Sequence, residues 1–230
     1  MIIKVCGMRD AENIRAVSEL NIDLLGFDFR PESPRFVRMV SSLAGTIPDY
    51  SEEQVRQKRN FSESPSQPLR QPARVGVFAD DMPQSIVTRV YNYQLDFVQL
   101  NGNESRVMIE NLKRTLEPDI RAGVRVIKTL TVITPDDIEQ YKEFEGVADM
   151  FLFVVKSLEE RPDWQMLDAY DGRTPFLLGG CIGPDDVERI LDFRHPQFAG
   201  VSVSSGFENE SGEKNVEKLR RFVQELSANR

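Results

Sequence analysis

Eight times along the 230 residues, a short apolar run gives way to a turn and then to a stretch whose apolar residues recur three and four apart. The runs are Ile2–Cys6, Asp23–Phe29, Arg74–Ala79, Leu95–Leu100, Val124–Lys128, Asp149–Val155, Pro175–Gly179 and Phe198–Val203. They lack strict alternation, which suits strands buried on both faces. The stretches between them read as helices. Asp10 is placed to cap Ala11–Leu20, where Ile14, Val17 and Leu20 share one face. Thr134-Pro135 followed by Asp136 and Asp137 opens another helix, with acids at the positive end of the dipole, and Gly183-Pro184-Asp185 opens a third.

Alternation of strand and helix dictates a parallel sheet, and eight units favour closure. The expected fold is therefore α/β, a (β/α)8 TIM barrel spanning 1–230 as a single domain. The structural alternative, an open doubly wound sheet, normally carries a glycine-rich first turn. Here that turn reads Cys6-Gly7-Met8-Arg9. One stretch breaks the rhythm: between Ser41 and Pro72 the composition shifts to Pro, Ser, Gln, Arg and Glu. Such a segment buries too little to offset its ordering entropy, so a mobile insertion is expected at about 45–72, a surface feature rather than a lid.

Charge narrows the partners. With 29 basic and 37 acidic residues the net charge is −8, which disfavours nucleic acid. A small phosphorylated ligand stays open, because backbone amides bind phosphate whatever the net charge. No apolar run approaches the roughly 20 residues of a membrane span, and the start has no basic region followed by an apolar core. Two cysteines, Cys6 and Cys181, are too few for a disulfide framework. A cytoplasmic protein with free thiols, a monomer or homodimer, is expected. No cluster with metal-ligand spacing or cofactor motif stands out, so no metal and no cofactor is expected.

Several strings, in order, resemble the phosphoribosylanthranilate isomerase family: Lys4-Val5-Cys6-Gly7-Met8, Gly26 to Arg35, Val75-Gly76-Val77-Phe78, Val98 to Glu104, and Ser204-Ser205-Gly206-Phe207-Glu208. The resemblance implies an Amadori rearrangement in tryptophan biosynthesis. It implies Cys6 as general base, Arg35 as partner of the substrate carboxylate, and Gln99, Gly180, Ser204, Ser205 and Gly206 as substrate-binding positions. Gly180, Ser204, Ser205 and Gly206 fall in the phosphate loops.

The same resemblance exposes departures. The sixth strand of the family carries its general acid where this chain has Val154, in Leu152-Phe153-Val154-Val155-Lys156. The glycine-rich stretch that follows is replaced by Ser157 to Arg161. The family's eighth-strand Asp is Ser202, its fourth-strand His is Asn101, and Cys181 stands for a loop glycine. Loss of the acid alone predicts a rate lower by about 10²–10⁴-fold. Impaired isomerase activity is one expectation. A catalytically inactive paralogue, a phosphate or sugar-phosphate binding or regulatory barrel, is a second, and an isomerase of another sugar phosphate a third.

Asp28 lies in a strand, where a carboxylate needs a partner. Lys4 and Lys128 are the expected partners, with a substitute-acid role as the sharper alternative. Cys6, Asp28, Gln99 and Lys128 are all expected near the C-terminal mouth. Cys181 reads as a packing residue, His195 as a turn residue remote from catalysis, Trp164 as packing for the sixth helix, and Tyr91, Tyr93 and Phe97 as core.

Overall fold

The computed structural model describes residues 1–37, 71–117, 119–156 and 162–228. Eight strands close into a barrel: β1 (Ile2–Cys6), β2 (Leu24–Asp28), β3 (Ala73–Phe78), β4 (Phe97–Leu100), β5 (Arg125–Val132), β6 (Met150–Val155), β7 (Phe176–Gly180) and β8 (Phe198–Val203). Each pairs in parallel with the next, and β8 returns to β1 through Ile2↔Gly200, Ile3↔Val201 and Lys4↔Ser202. The helices are α1 (Ala11–Ser18), α2 (Pro83–Tyr93), α3 (Arg106–Leu116), α4 (Tyr141–Phe144), α5 (Val187–Asp192) and α6 (Val216–Ala228).

Period-two alternation sorts the strand side chains into two cores. Leu24, Val75, Phe97, Ile127, Met150, Leu152 and Leu177 fill the barrel interior. Their strand neighbours, with the inner faces of the helices, form the larger layer outside it. Each such Leu or Phe contributes about 1.5–3 kcal/mol by leaving water. Closure makes both strand faces apolar, which explains the continuous runs in the sequence.

The local signals behave as their chemistry requires. Asp10 accepts from the Asn13 amide at 2.8 Å and starts α1, which ends at Ser18, short of Leu20. After Thr134 the chain forms a 3₁₀ turn, Pro135–Gln140, before α4. Pro184–Asp186 is likewise 3₁₀ and runs into α5. β5 continues four residues beyond Lys128, because its pairing with β6 persists to Val132↔Val155. Thr129 and Thr131 share the interior face with Ile127, and their polarity hides the strand end in the sequence.

Some packing expectations need correction. Tyr93 and Phe97 are buried, but Tyr91 is 63% exposed. The inner face of α2 is Ile86, Val90 and Tyr93, and Tyr91 is turned away from it. Trp164 packs as expected, edge-on to Phe193 with the Arg189 guanidinium 4.0 Å from its ring centre, though it opens a 3₁₀ turn. His195 holds a turn: its Nε2 meets the Tyr170 carbonyl at 2.9 Å and its Nδ1 accepts from the Gln197 amide. Of the insertion expected at about 45–72, all but Gln71 and Pro72 lies outside the described residues.

Candidate active site

Ile2 packs into the interior cluster, so Lys4 and Cys6 face inward with it along β1, and Cys6 stands at the C-terminal end. The thiol is half-buried and lies against Gly26 of β2, where a Cβ would come 2.8 Å from Sγ. The chain leaves β1 sharply, with the Gly7 and Met8 amides both donating to the Gly26 carbonyl, at 2.9 and 3.0 Å. Gly7 takes φ +82°, and a Cβ there would sit 2.4 Å from Arg35 Cδ. Glycine is therefore required twice over, for the turn and for the passage of Arg35.

Arg35 reaches a carboxylate of its own chain. Its Nε donates to Glu208 Oε1 at 2.6 Å and its Nη2 to Oε2 at 2.7 Å. Buried Lys214 donates to Glu208 Oε1 as well. Burial pushes the Glu208 carboxyl upward, but the bonds from Arg35 and Lys214 outweigh it and hold the group below its ordinary range. Burial pulls the Lys214 ammonium below its usual value despite that partner. Arg30, Arg35 and Lys214 all lie near enough to Cys6 to interact with it electrostatically. Arg35 and Glu208 stand within strings that carry the family resemblance, whereas no local signal in the sequence marks Lys214.

Asp28 is buried at the end of β2, and its partners are neither Lys4 nor Lys128. Arg30 donates through Nε (2.9 Å), Nη2 (2.7 Å) and its amide (3.1 Å), and Ser33 Oγ adds a bond of 2.7 Å. Burial raises the Asp28 carboxyl, yet these bonds outweigh it and lower the pKa. The network is the structural ion pair expected of a buried strand carboxylate, with Arg30 as its cation in place of a lysine. Lys128 also departs from expectation. It points outside the barrel to Glu104 (2.8 Å) and the Gly102 carbonyl (2.6 Å), because it alternates with inward Ile127 and Thr129.

On the far side of the mouth stand the uncharged side chains of Gln99, Asn101 and Thr129. Gln99 Nε2 donates to Asn101 Oδ1 at 2.8 Å and to Thr129 Oγ1 at 3.3 Å, and Thr129 Oγ1 donates to Asn101 Oδ1 at 2.6 Å. Gln99 Oε1 is buried without a partner among the described residues. Val154, beside Thr131 and Gly179 in register, packs against the interior cluster. It faces inward and carries no proton to give. The stretch 157–161, where the sequence loses its glycine-rich loop, lies outside the described residues.

The loops after β7 and β8 meet at the same end. Gly180 adopts φ +111°, and a Cβ on Gly206 would lie 2.5 Å from the Ile182 carbonyl, so the loops touch backbone to backbone. Ser204 Oγ donates to the Cys6 carbonyl at 3.2 Å, tying β8 to β1, and Ser205–Phe207 makes a short 3₁₀ turn. Cys181, which follows Gly180, is exposed rather than packed. Among the described residues no three His, Cys, Asp or Glu side chains are placed to hold a metal, and no helix is long and apolar enough to cross a membrane.

Comparisons with known proteins agree with this geometry. The family described as N-(5'-phosphoribosyl)anthranilate isomerase matches residues 48–225. An N-(5'-phosphoribosyl)anthranilate isomerase of Parabacteroides distasonis is 38% identical over 231 residues, covering 98% of this chain and 93% of its own. One from Phocaeicola vulgatus is 33% identical, with 98% of each chain covered. Among solved structures, the phosphoribosyl anthranilate isomerase of Thermotoga maritima superposes with a TM-score of 0.70 at 26% identity, covering 99% of this chain and 100% of that one.

Proposed function

The chain belongs to the N-(5'-phosphoribosyl)anthranilate isomerase family, and from that premise we propose that it performs the family's Amadori rearrangement in tryptophan biosynthesis at a much reduced rate. One observation carries the reduced rate: Cys6 stands at the inward end of β1, while the inward position on β6 is Val154.

The residues divide the reaction as follows. The Cys6 thiolate takes the proton from the sugar carbon next to the imine, within the cationic surroundings of Arg30, Arg35 and Lys214. Arg35 holds the anthranilate carboxylate with the guanidinium edge that Glu208 leaves free. The backbone around Gly180, Ser204, Ser205 and Gly206 receives the phosphate, where small residues let the chain approach an anion. Gln99 offers an unpaired carbonyl oxygen to a substrate hydroxyl. The enzyme works without a cofactor in the cytoplasm, as a monomer or homodimer.

Val154 also favours a second reading, a sugar-phosphate-binding barrel without turnover. Complementation of an isomerase-deficient tryptophan auxotroph, with a direct assay of the purified protein beside the P. distasonis relative, separates the two. The isomerase reading expects turnover at least about 10²-fold below that relative. Ribose 5-phosphate binding with no turnover at all would leave the binding barrel.

A further inference from the structure

Among the described residues three lysines are almost wholly buried, and two of them meet a carboxylate: Lys128 pairs with Glu104 and Lys214 with Glu208. Lys4 differs. It is 0% exposed, faces the barrel interior, and its Nζ donates at 3.3 Å to the hydroxyl of Ser202. Among the described residues it forms no ion pair. A buried ammonium answered only by a neutral hydroxyl is costly, and one kept just below a reaction mouth points to a role beyond packing.

Its placement suggests which. Lys4 and Ser202 are register partners on β1 and β8, and Cys6 follows Lys4 by two residues on the inward face of β1. The pair therefore lies one inward layer below Cys6 in the barrel. Ser202 Oγ accepts from Lys4, which leaves its own O–H to donate onward.

Resting on the isomerase reading, we propose that Ser202 gives the proton that opens the ribose ring, and that Lys4 resupplies it. As the bond between C1 and the ring oxygen breaks, its electron pair stays on that oxygen, which takes the Ser202 proton and becomes a hydroxyl. Lys4 passes one proton to Ser202 and is left a neutral amine. The substrate nitrogen supplies its lone pair to form the iminium. Cys6 then removes the proton at C2, giving the enolamine. The thiol returns that proton to C1, and the enol proton goes back through Ser202 to Lys4 as the ketone forms. Every group ends as it began.

The test is steady-state kinetics on phosphoribosylanthranilate with Ser202→Ala, Lys4→Met, their double variant and Lys4→Arg, each checked by thermal denaturation. Ser202→Ala is a small change that should fold, and its kcat should fall at least about 10-fold with KM within two-fold. Lys4→Met should fall as far, and the double variant no further, since the two act in one relay. Lys4→Arg keeps the charge but holds its proton, so it should stay as slow as Lys4→Met. Recovery in Lys4→Arg, or Ser202→Ala within two-fold of the parent, would overturn the relay alone. A parent without any turnover would overturn the isomerase reading and the relay together.

Discussion

Arg35 and Glu208 meet in a two-point ion pair, Nε to Oε1 at 2.6 Å and Nη2 to Oε2 at 2.7 Å, across 173 positions of sequence. The pair fixes the guanidinium plane over Gly7, and Lys214 fastens the same carboxylate from the other side. Glu208→Gln leaves buried Lys214 without a counter-charge. We expect a loss of about 3 kcal/mol in urea unfolding, at the low end for a broken buried pair because Arg35 is partly solvated.

Arg35→Lys keeps a charge but cannot form a fork. A charge-assisted bond is worth about 1.5–3 kcal/mol, so KM for phosphoribosylanthranilate should rise at least about tenfold. Unchanged KM would remove Arg35 from substrate binding.

Asp28 sets an acid-side prediction. Its carboxyl is lower in the folded chain than when unfolded, so the folded state binds fewer protons at mildly acid pH. The stability it contributes is complete above the unfolded value of about 3.9 and is lost as pH falls through the lower folded value. Asp28→Asn should lower stability at pH 7 by about 3 kcal/mol and flatten the acid limb of the stability profile. An equally steep limb in the variant would assign acid sensitivity to other carboxylates.

Val154→Asp alone should recover less than about tenfold of the missing rate. The new carboxyl would enter beside the apolar interior cluster of the barrel. Positioning counts as well as acidity in such a step. Assay of the single variant against its parent decides, and full recovery would show that the surroundings of the acid are intact.

Phosphate binding rests on backbone approach, so it should survive better than acid–base chemistry. Calorimetry should find weak, millimolar binding of ribose 5-phosphate to the parent. Gly206→Ala, whose Cβ would lie 2.5 Å from the Ile182 carbonyl, should weaken it about tenfold or more. Equal binding in the variant would move the phosphate site elsewhere.

The sequence by itself determined the strand–helix alternation, the cap at Asp10, Cys6 at the end of a strand and the absence of an acid at Val154. These are local facts, carried by periodicity and residue type within one segment. The Asp28–Arg30 pair is local too, two positions apart in the chain, whereas Lys4 and Lys128 lie on other strands. Only the tertiary structure decided that Arg35 is held by Glu208 and Lys214, that Lys128 points outward, and that Lys4 is answered by Ser202. Most of these partners lie far apart in the chain, and closure of β8 on β1 fixes which of them share a face and a distance. A hydrogen bond or ion pair depends on direction to within tenths of an ångström, which no pattern of residue types records.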